Sequence, residues 1–211
     1  MTLELDHIAL GTADLEQGVI ALKQKLGVQI PSGGKHPLMG THNHVMRTGE
    51  AEFFELIAID PTAPTPSRTR WFTLDEATTQ SHIRHEPRAL CWVVKTNNIE
   101  EIVKNSPVDL GKITTVTRGD LQWRLTIPDD GSLAEGGLLP AFIQWNEGPH
   151  PATKQTDCGV RINRIILTHP EPEKLLDMLE RLQISHLAEV RQGARSLAFE
   201  VTTPHGVVRL D

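Results

Sequence analysis

The feature that most constrains this chain is an internal repeat. The stretch HIALGTADLEQ from His7 overlays CWVVKTNNIEE from Cys91, placing Thr12 on Thr96, Leu15 on Ile99 and Glu16 on Glu100. Each copy starts as an apolar strand and turns into a capped helix. In the first copy a strand spans residues 3–10. Asp14 then caps a helix, with Gln17 in capping-box position. Leu15, Val19, Leu22 and Leu26 form one apolar stripe, and Gly27 stops the helix. A Gly/Pro loop covers 31–40. Two extended segments follow, 41–48 and 51–60, joined by a tight Gly49-Glu50 step. If residues 28–31 supply a short second strand, the unit reads β-α-β-β-β.

The second copy keeps that order. A strand over 89–94 precedes Asn98 as cap, with Glu101 at the box position and Ile99, Ile102 and Val103 on a short amphipathic helix. Extended segments cover 113–117, 121–127 and 139–145. Turn residues separate them at Arg118-Gly119-Asp120 and at Pro128 to Gly131. A third unit starts near Ile162, continues with Leu175, Leu179 and Leu182, and ends in extended segments over 196–202 and 206–210. Polar connectors span 61–87 and 147–159, and Trp71-Phe72-Thr73-Leu74 in the first marks local packing or a lid. The expected fold class is therefore α+β: repeated βαβββ units in a cup-shaped mixed sheet, two paired units plus a third. The division runs 1–152 for the pair and 160–211 for the third unit.

Composition narrows the function classes. The 211 residues are 38% hydrophobic, enough for a packed core. The net charge of −6, with scattered arginines and lysines, disfavours binding to nucleic acid or to an anionic membrane. Only Cys91 and Cys158 occur, without CxxC spacing, so no disulfide framework or zinc knuckle is expected. No apolar run approaches the roughly 20 residues of a bilayer span, and the N-terminus reads as a strand. A reducing, cytoplasmic setting is the expectation. The chain has no GxGxxG, P-loop or GxSxG string, which removes support for nucleotide binding and serine-hydrolase chemistry.

A single curved βαβββ sheet cannot bury its concave face, whereas two side by side close a cup. Residues midway along the first and fourth strands of each unit then meet on its floor. The repeat register assigns these positions to His7 and Cys91, and to Glu55 and Gln144. The strings LDHIAL, GGKHPLMGTHN and FFELIAIDP, followed by LQWRLTIPDDG and GLLPAFIQWNEGPHPA, resemble the glyoxalase-like domain family of the vicinal-oxygen-chelate superfamily. The resemblance covers roughly residues 3–152. It implies a small-molecule cup whose floor holds a divalent metal, which chelates neighbouring substrate oxygens in lyase or isomerase chemistry.

On that resemblance His7, Glu55 and Gln144 are the expected ligands for zinc, manganese, iron, cobalt or nickel, a mixed N/O set with a single anion. Such a metal would act as a Lewis acid, with Glu55 also placed to serve as general base. Cys91 is either a further ligand or a small buried apolar side chain facing the substrate. Thr41 and Asn43 match the family's Gly-Thr-x-Asn loop as substrate hydrogen-bonders. His42 joins them as half of an HxH pair with His44. His36 lines the cup mouth or fixes a turn. Arg124 is a candidate clamp for a substrate carboxylate, its alternative being an exposed sheet-face arginine. Trp92, Trp123 and Trp145 are core or cup wall, and Trp123 is placed against the substrate.

Two other readings stay open: a metal-free binding or sequestering protein, and a structural module with a vestigial cup. Arg164 and Arg209 occupy the third unit's floor positions, and two guanidiniums hold no cation. That unit packs either on the first pair or on a second copy, which would make a homodimer.

Overall fold

The computed structural model describes residues 3–211. Strand β1 (Glu4–Gly11) leads into helix α1 (Leu15–Leu26). The Asp14 carboxylate accepts from Gln17 N at 2.9 Å, and Gly27 closes the helix at φ 73°, a left-handed conformation that glycine adopts without steric cost. Strands β2 (Ser32–His36), β3 (Thr41–Arg47) and β4 (Phe53–Ile59) complete the unit. After a connector carrying the short helix α2 (Ala77–His82), the pattern repeats. Strand β5 (Arg88–Lys95), helix α3 (Ile99–Asn105), β6 (Lys112–Arg118), β7 (Leu121–Ile127) and β8 (Ala141–Trp145) make the second unit. Asn98 caps α3 by accepting from Glu101 N and donating to the Glu101 carboxylate, the reciprocal box expected from sequence.

Both units form one eight-stranded sheet in the order β2-β3-β4-β1-β5-β8-β7-β6. In each unit the first strand pairs parallel with the fourth, and the two first strands pair antiparallel at the centre. The sheet curls until its outer strands approach, with the Arg118 stem of β6 lying across Gly34 of β2. The strand β2 departs from the sequence reading, which placed a loop here. Its two glycines are a packing requirement. A Cβ on Gly33 would sit 2.2 Å from Asn43 Oδ1, and one on Gly34 would sit 3.0 Å from Arg118 Cδ.

Alternation sorts the side chains. Phe54, Leu56, Trp92, Val94 and Phe142 point outward into a core shared with α1 and α3, each large side chain contributing about 1.5–3 kcal/mol by burial. Ala9, Ile57, Cys91, Val93, Trp123, Leu125 and Ile143 belong to the inner cluster, together with Trp71, Phe72 and Leu74 of the connector.

The third segment keeps the βαβββ element order, with β9 (Arg161–His169), α4 (Pro172–Arg181), β10 (Glu189–Gln192), β11 (Ser196–Thr203) and β12 (Gly206–Leu210). Its pairing differs, because β9 sits between β10 and β11 in the order β10-β9-β11-β12. Its buried Ile165, Leu167, Leu179, Phe199 and Val201 join the outer core of the first two units within the same chain. Arg164 lies near Glu189 and Glu200, and Arg209 pairs with Asp211. Among the described residues no helix is long and apolar enough to cross a membrane.

The connector between the first two units forms a strap over the cup. Phe72 and Thr73 both adopt positive φ, 58° and 57°, and Thr73 N donates to Gly131 O at 2.8 Å. Gly131 itself has φ 73°, and a Cβ there would lie 2.0 Å from Arg70 O. Gly131→Ala is therefore expected to cost about 2–3 kcal/mol, from left-handed strain plus the backbone collision. Urea denaturation of the variant tests this, and a loss below about 0.5 kcal/mol, within the range of ordinary surface substitutions, would contradict it.

Candidate functional site

The concave face of the sheet lines a cup with about 400 Å³ of space between its walls, open solvent at its mouth included. His7, Phe53 and Glu55 come from β1 and β4, and His36 and Asn43 from β2 and β3. The second unit supplies Arg118, Trp123, Leu125, Ile143 and Trp145, while Trp71 and Phe72 descend from the strap.

The centre of the site is a line of ionisable groups. Glu55, 5% exposed, places Oε2 3.7 Å from His7 Nε2. On the other side of the imidazole, Nδ1 lies 2.6 Å from Asp6 Oδ1. Asp6 and His7 are adjacent in sequence, yet their side chains meet because a bulge in the β1–β5 pairing sets both residues against Val93. Asp6 is fully buried. Its Oδ2 accepts from Trp145 Nε1 at 2.7 Å and from His150 Nε2 at 3.0 Å. The His150 tautomer follows from its other nitrogen, which accepts Ala152 N. Burial would push the Asp6 carboxyl up, but the hydrogen bonds from His150 and His7 outweigh it and hold the pKa at about 2. Asp6 is therefore a fixed anion, and it orients the His7 ring with Nε2 toward the cup. The ring also stacks on Phe53 at 4.4 Å.

Asn43 fixes the carboxylate of Glu55. Its Nδ2 donates to Glu55 Oε1 at 2.5 Å, while Oδ1 accepts from Gly34 N at 2.9 Å and from Arg118 at 3.2 Å. His36 is buried between the edges of Trp71 and Trp123. Burial first, then the Arg118 charge, pulls its pKa down to about 3, so the ring is neutral. With Arg118 against Nε2 at 3.5 Å, Nδ1 carries the proton toward Thr41 Oγ1 at 3.0 Å. Cys91 lies in the inner cluster, fully buried. Burial and the Glu55 charge push its thiol up, which keeps it protonated.

Of the residues singled out from the sequence, His7, His36, Asn43, Glu55, Trp123 and Trp145 line the cup. Thr41 stands behind it as the partner of His36, and Cys91 lies beneath the inner surface. Three others fall on the opposite face. Gln144 alternates with the inward Ile143 and Trp145, and its Oε1 accepts Ile99 N at 2.9 Å, capping α3. Arg124, adjacent to inward Trp123, pairs with Glu100 of α3. His42 alternates with Asn43 and stands outside the cup, half-buried. These three are corrected by one fact: neighbouring residues in a regular strand project from opposite faces. Asp6, His150 and Arg118 were missed. The Asp-His step in LDHIAL and the Pro149-His150-Pro151 string were the available signals for the first two.

The donor set can be tested against the metal that the resemblance implied. Two candidate ligands converge, His7 Nε2 and Glu55 Oε2. A catalytic zinc site takes three protein ligands, and hard cations take more. Here the other Glu55 oxygen is engaged by Asn43, Gln144 faces away, Cys91 is a neutral thiol, and a guanidinium enters the same cup. Among the described residues no group of three His, Cys, Asp or Glu side chains could hold a metal ion. This set does not fit a resident divalent ion.

The fold recurs in a solved structure over the whole chain. A Staphylococcus aureus protein of known structure, described as hypothetical, aligns over 100% of this chain and 86% of its own, with TM-score 0.62 and 16% identity. Methylmalonyl-CoA epimerase from Mycobacterium tuberculosis aligns over 69% of this chain and 88% of its own, with TM-score 0.44 and 16% identity. A hypothetical protein from Bacillus halodurans aligns over 70% and 96%, with TM-score 0.42 and 14% identity. No curated protein shows significant sequence similarity to this chain. The glyoxalase-like domain profile matches residues 5–183, and the chain belongs to that family.

Proposed function

We propose that the cup is the active site of an enzyme that moves a proton on a small carbonyl compound without a resident metal. The observation that carries this reading is the line Asp6–His7–Glu55, aimed into a cavity walled by aromatic rings. Glu55 Oε2 takes a proton from the carbon beside the carbonyl, and the C–H electron pair moves into the carbonyl to give an enolate. The proton passes to His7 Nε2, where the Asp6 carboxylate offsets the imidazolium charge. Its return to the enolate carbon completes an isomerisation or epimerisation. The apolar walls limit the contact of water with the enolate.

Proton NMR in D2O tests the proposal, with small ketones and 2-oxo acids as substrates. Wild-type protein is expected to speed deuterium entry at the acidic carbon, and Glu55→Gln to slow it at least about a hundredfold. Catalysed exchange that survives in Glu55→Gln would sink the reading. Elemental analysis is expected to find zinc, manganese, iron, cobalt and nickel well below one ion per chain. Near-stoichiometric metal, lost in both His7→Ala and Glu55→Ala, would instead favour Lewis-acid chemistry at the same floor.

A further inference from the structure

The cup contains a cation that the proton-transfer line does not use. Arg118 ends β6, crosses Gly34 and enters an aromatic cavity. Its bonds to Asn43 Oδ1 and His36 Nε2 both come from one terminal nitrogen, at 3.2 and 3.5 Å, and both acceptors are neutral. Among the described residues it makes no salt bridge, whereas most other arginines of the chain, such as Arg124 and Arg161, do. Burial already pulls its pKa below the usual guanidinium value. A guanidinium has five N–H donors in a planar fork, and on this half-buried side chain Nε and the second terminal nitrogen have no protein partner among the described residues, which leaves that edge open to a ligand. A second unpartnered donor belongs to another residue of the cup wall. The indole N–H of Trp71 is buried without a hydrogen-bond partner, although Trp71 is only 3% exposed and lines the same cavity.

We infer that the cup recognises its ligand through a carboxylate, gripped by the free edge of the Arg118 guanidinium and by the Trp71 indole N–H. The ligand's apolar body lies against Phe53, Trp123 and Trp145. This rests on the cup being the active site and specifies what it takes: a small organic monocarboxylate. A planar carboxylate matches the guanidinium fork in two parallel hydrogen bonds. The strap holds the second donor, so docking of the strap and binding of the anion support each other.

Isothermal titration with phenylacetate, hexanoate and neutral phenylacetamide tests the inference. Wild-type protein is expected to bind phenylacetate at least about tenfold more tightly than phenylacetamide, a modest value for one charge-assisted pair. Arg118→Met removes that preference while circular dichroism shows the fold intact, and Arg118→Lys restores part of it. Trp71→Phe keeps the aromatic surface and weakens phenylacetate binding several-fold. Glu55→Gln leaves the preference in place, so a failure of proton transfer and a failure of anion recognition give different results. Equal binding of acid and amide, a preference that persists in Arg118→Met, or no saturable binding of either carboxylate at millimolar concentration would each overturn the inference.

Discussion

Asp6→Ala is expected to destabilise the protein by about 3–5 kcal/mol. The carboxylate is fully buried and accepts N–H groups from His7, Trp145 and His150. Truncation leaves three donors in an enclosed space without partners, and the charge-assisted bonds that repaid their desolvation vanish together. For a domain of this size the midpoint of thermal unfolding should fall by about 10 °C. Asp6→Asn should fall less, because one amide oxygen still accepts on the Trp145 and His150 side. Its NH2 then faces His7 Nδ1 and forces the other tautomer, turning an N–H toward Glu55. That variant separates the two roles of Asp6: much of the stability stays, and proton transfer is lost. A destabilisation of Asp6→Ala below about 1 kcal/mol would show that the carboxylate is not the hub described.

The second large effect is a pH dependence. His36 titrates at about 3 in the folded chain and near 6.5 when unfolded, because burial and Arg118 oppose its charged form. The folded value is depressed, so the unfolded chain binds the extra proton first. His36 therefore costs the fold nothing above about pH 6.5. Stability falls as the pH drops below that, by about 1.4 kcal/mol per unit, until the folded ring protonates near pH 3. The loss attributable to this ring is about 2 kcal/mol at pH 5 and about 4–5 kcal/mol at pH 3. Urea denaturation at pH 8 and pH 5 for wild type and His36→Gln isolates it. The variant is less stable at pH 8, having lost the contact to Thr41, but its stability should change between the two pH values by about 2 kcal/mol less. Parallel pH profiles would contradict the assignment. Asp6 works in the same direction at lower pH, its contribution disappearing between about pH 4 and about pH 2.

Local rules made much of the architecture legible. Asp14, Asn98 and Gly27 mark helix ends that any chain with these residues would favour, and the offset between two strand-to-helix transitions revealed the duplication. His7 and Glu55 emerged from the same register. What stayed hidden depended on which way a strand faces. Arg124 and Trp123 were both assigned to the ligand, although regular alternation permits only one, and the tryptophan took the inner face. Asp6 reversed the error: alternation would point it away from His7, and only a bulge, invisible in composition, brings the two together. Arg118 read as a turn residue because it ends its strand. Its reach depends on Gly34, distant in sequence, leaving room for the stem. The third segment shows the limit of counting elements, since the same βαβββ order supports a different pairing once β9 takes β10 as its parallel neighbour.

The pairing of two units does not produce two equivalent halves. The first contributes His7, His36, Asn43 and Glu55, and the second contributes Arg118, Trp123, Leu125, Ile143 and Trp145. On the proposed reading, the proton-transfer groups His7 and Glu55 come from the first copy and the anion-binding Arg118 from the second. A laboratory library confined to β6 and β7 would therefore vary the wall around Arg118 while sparing His7, Glu55, Asp6 and the Trp145 of β8 that holds Asp6 in place.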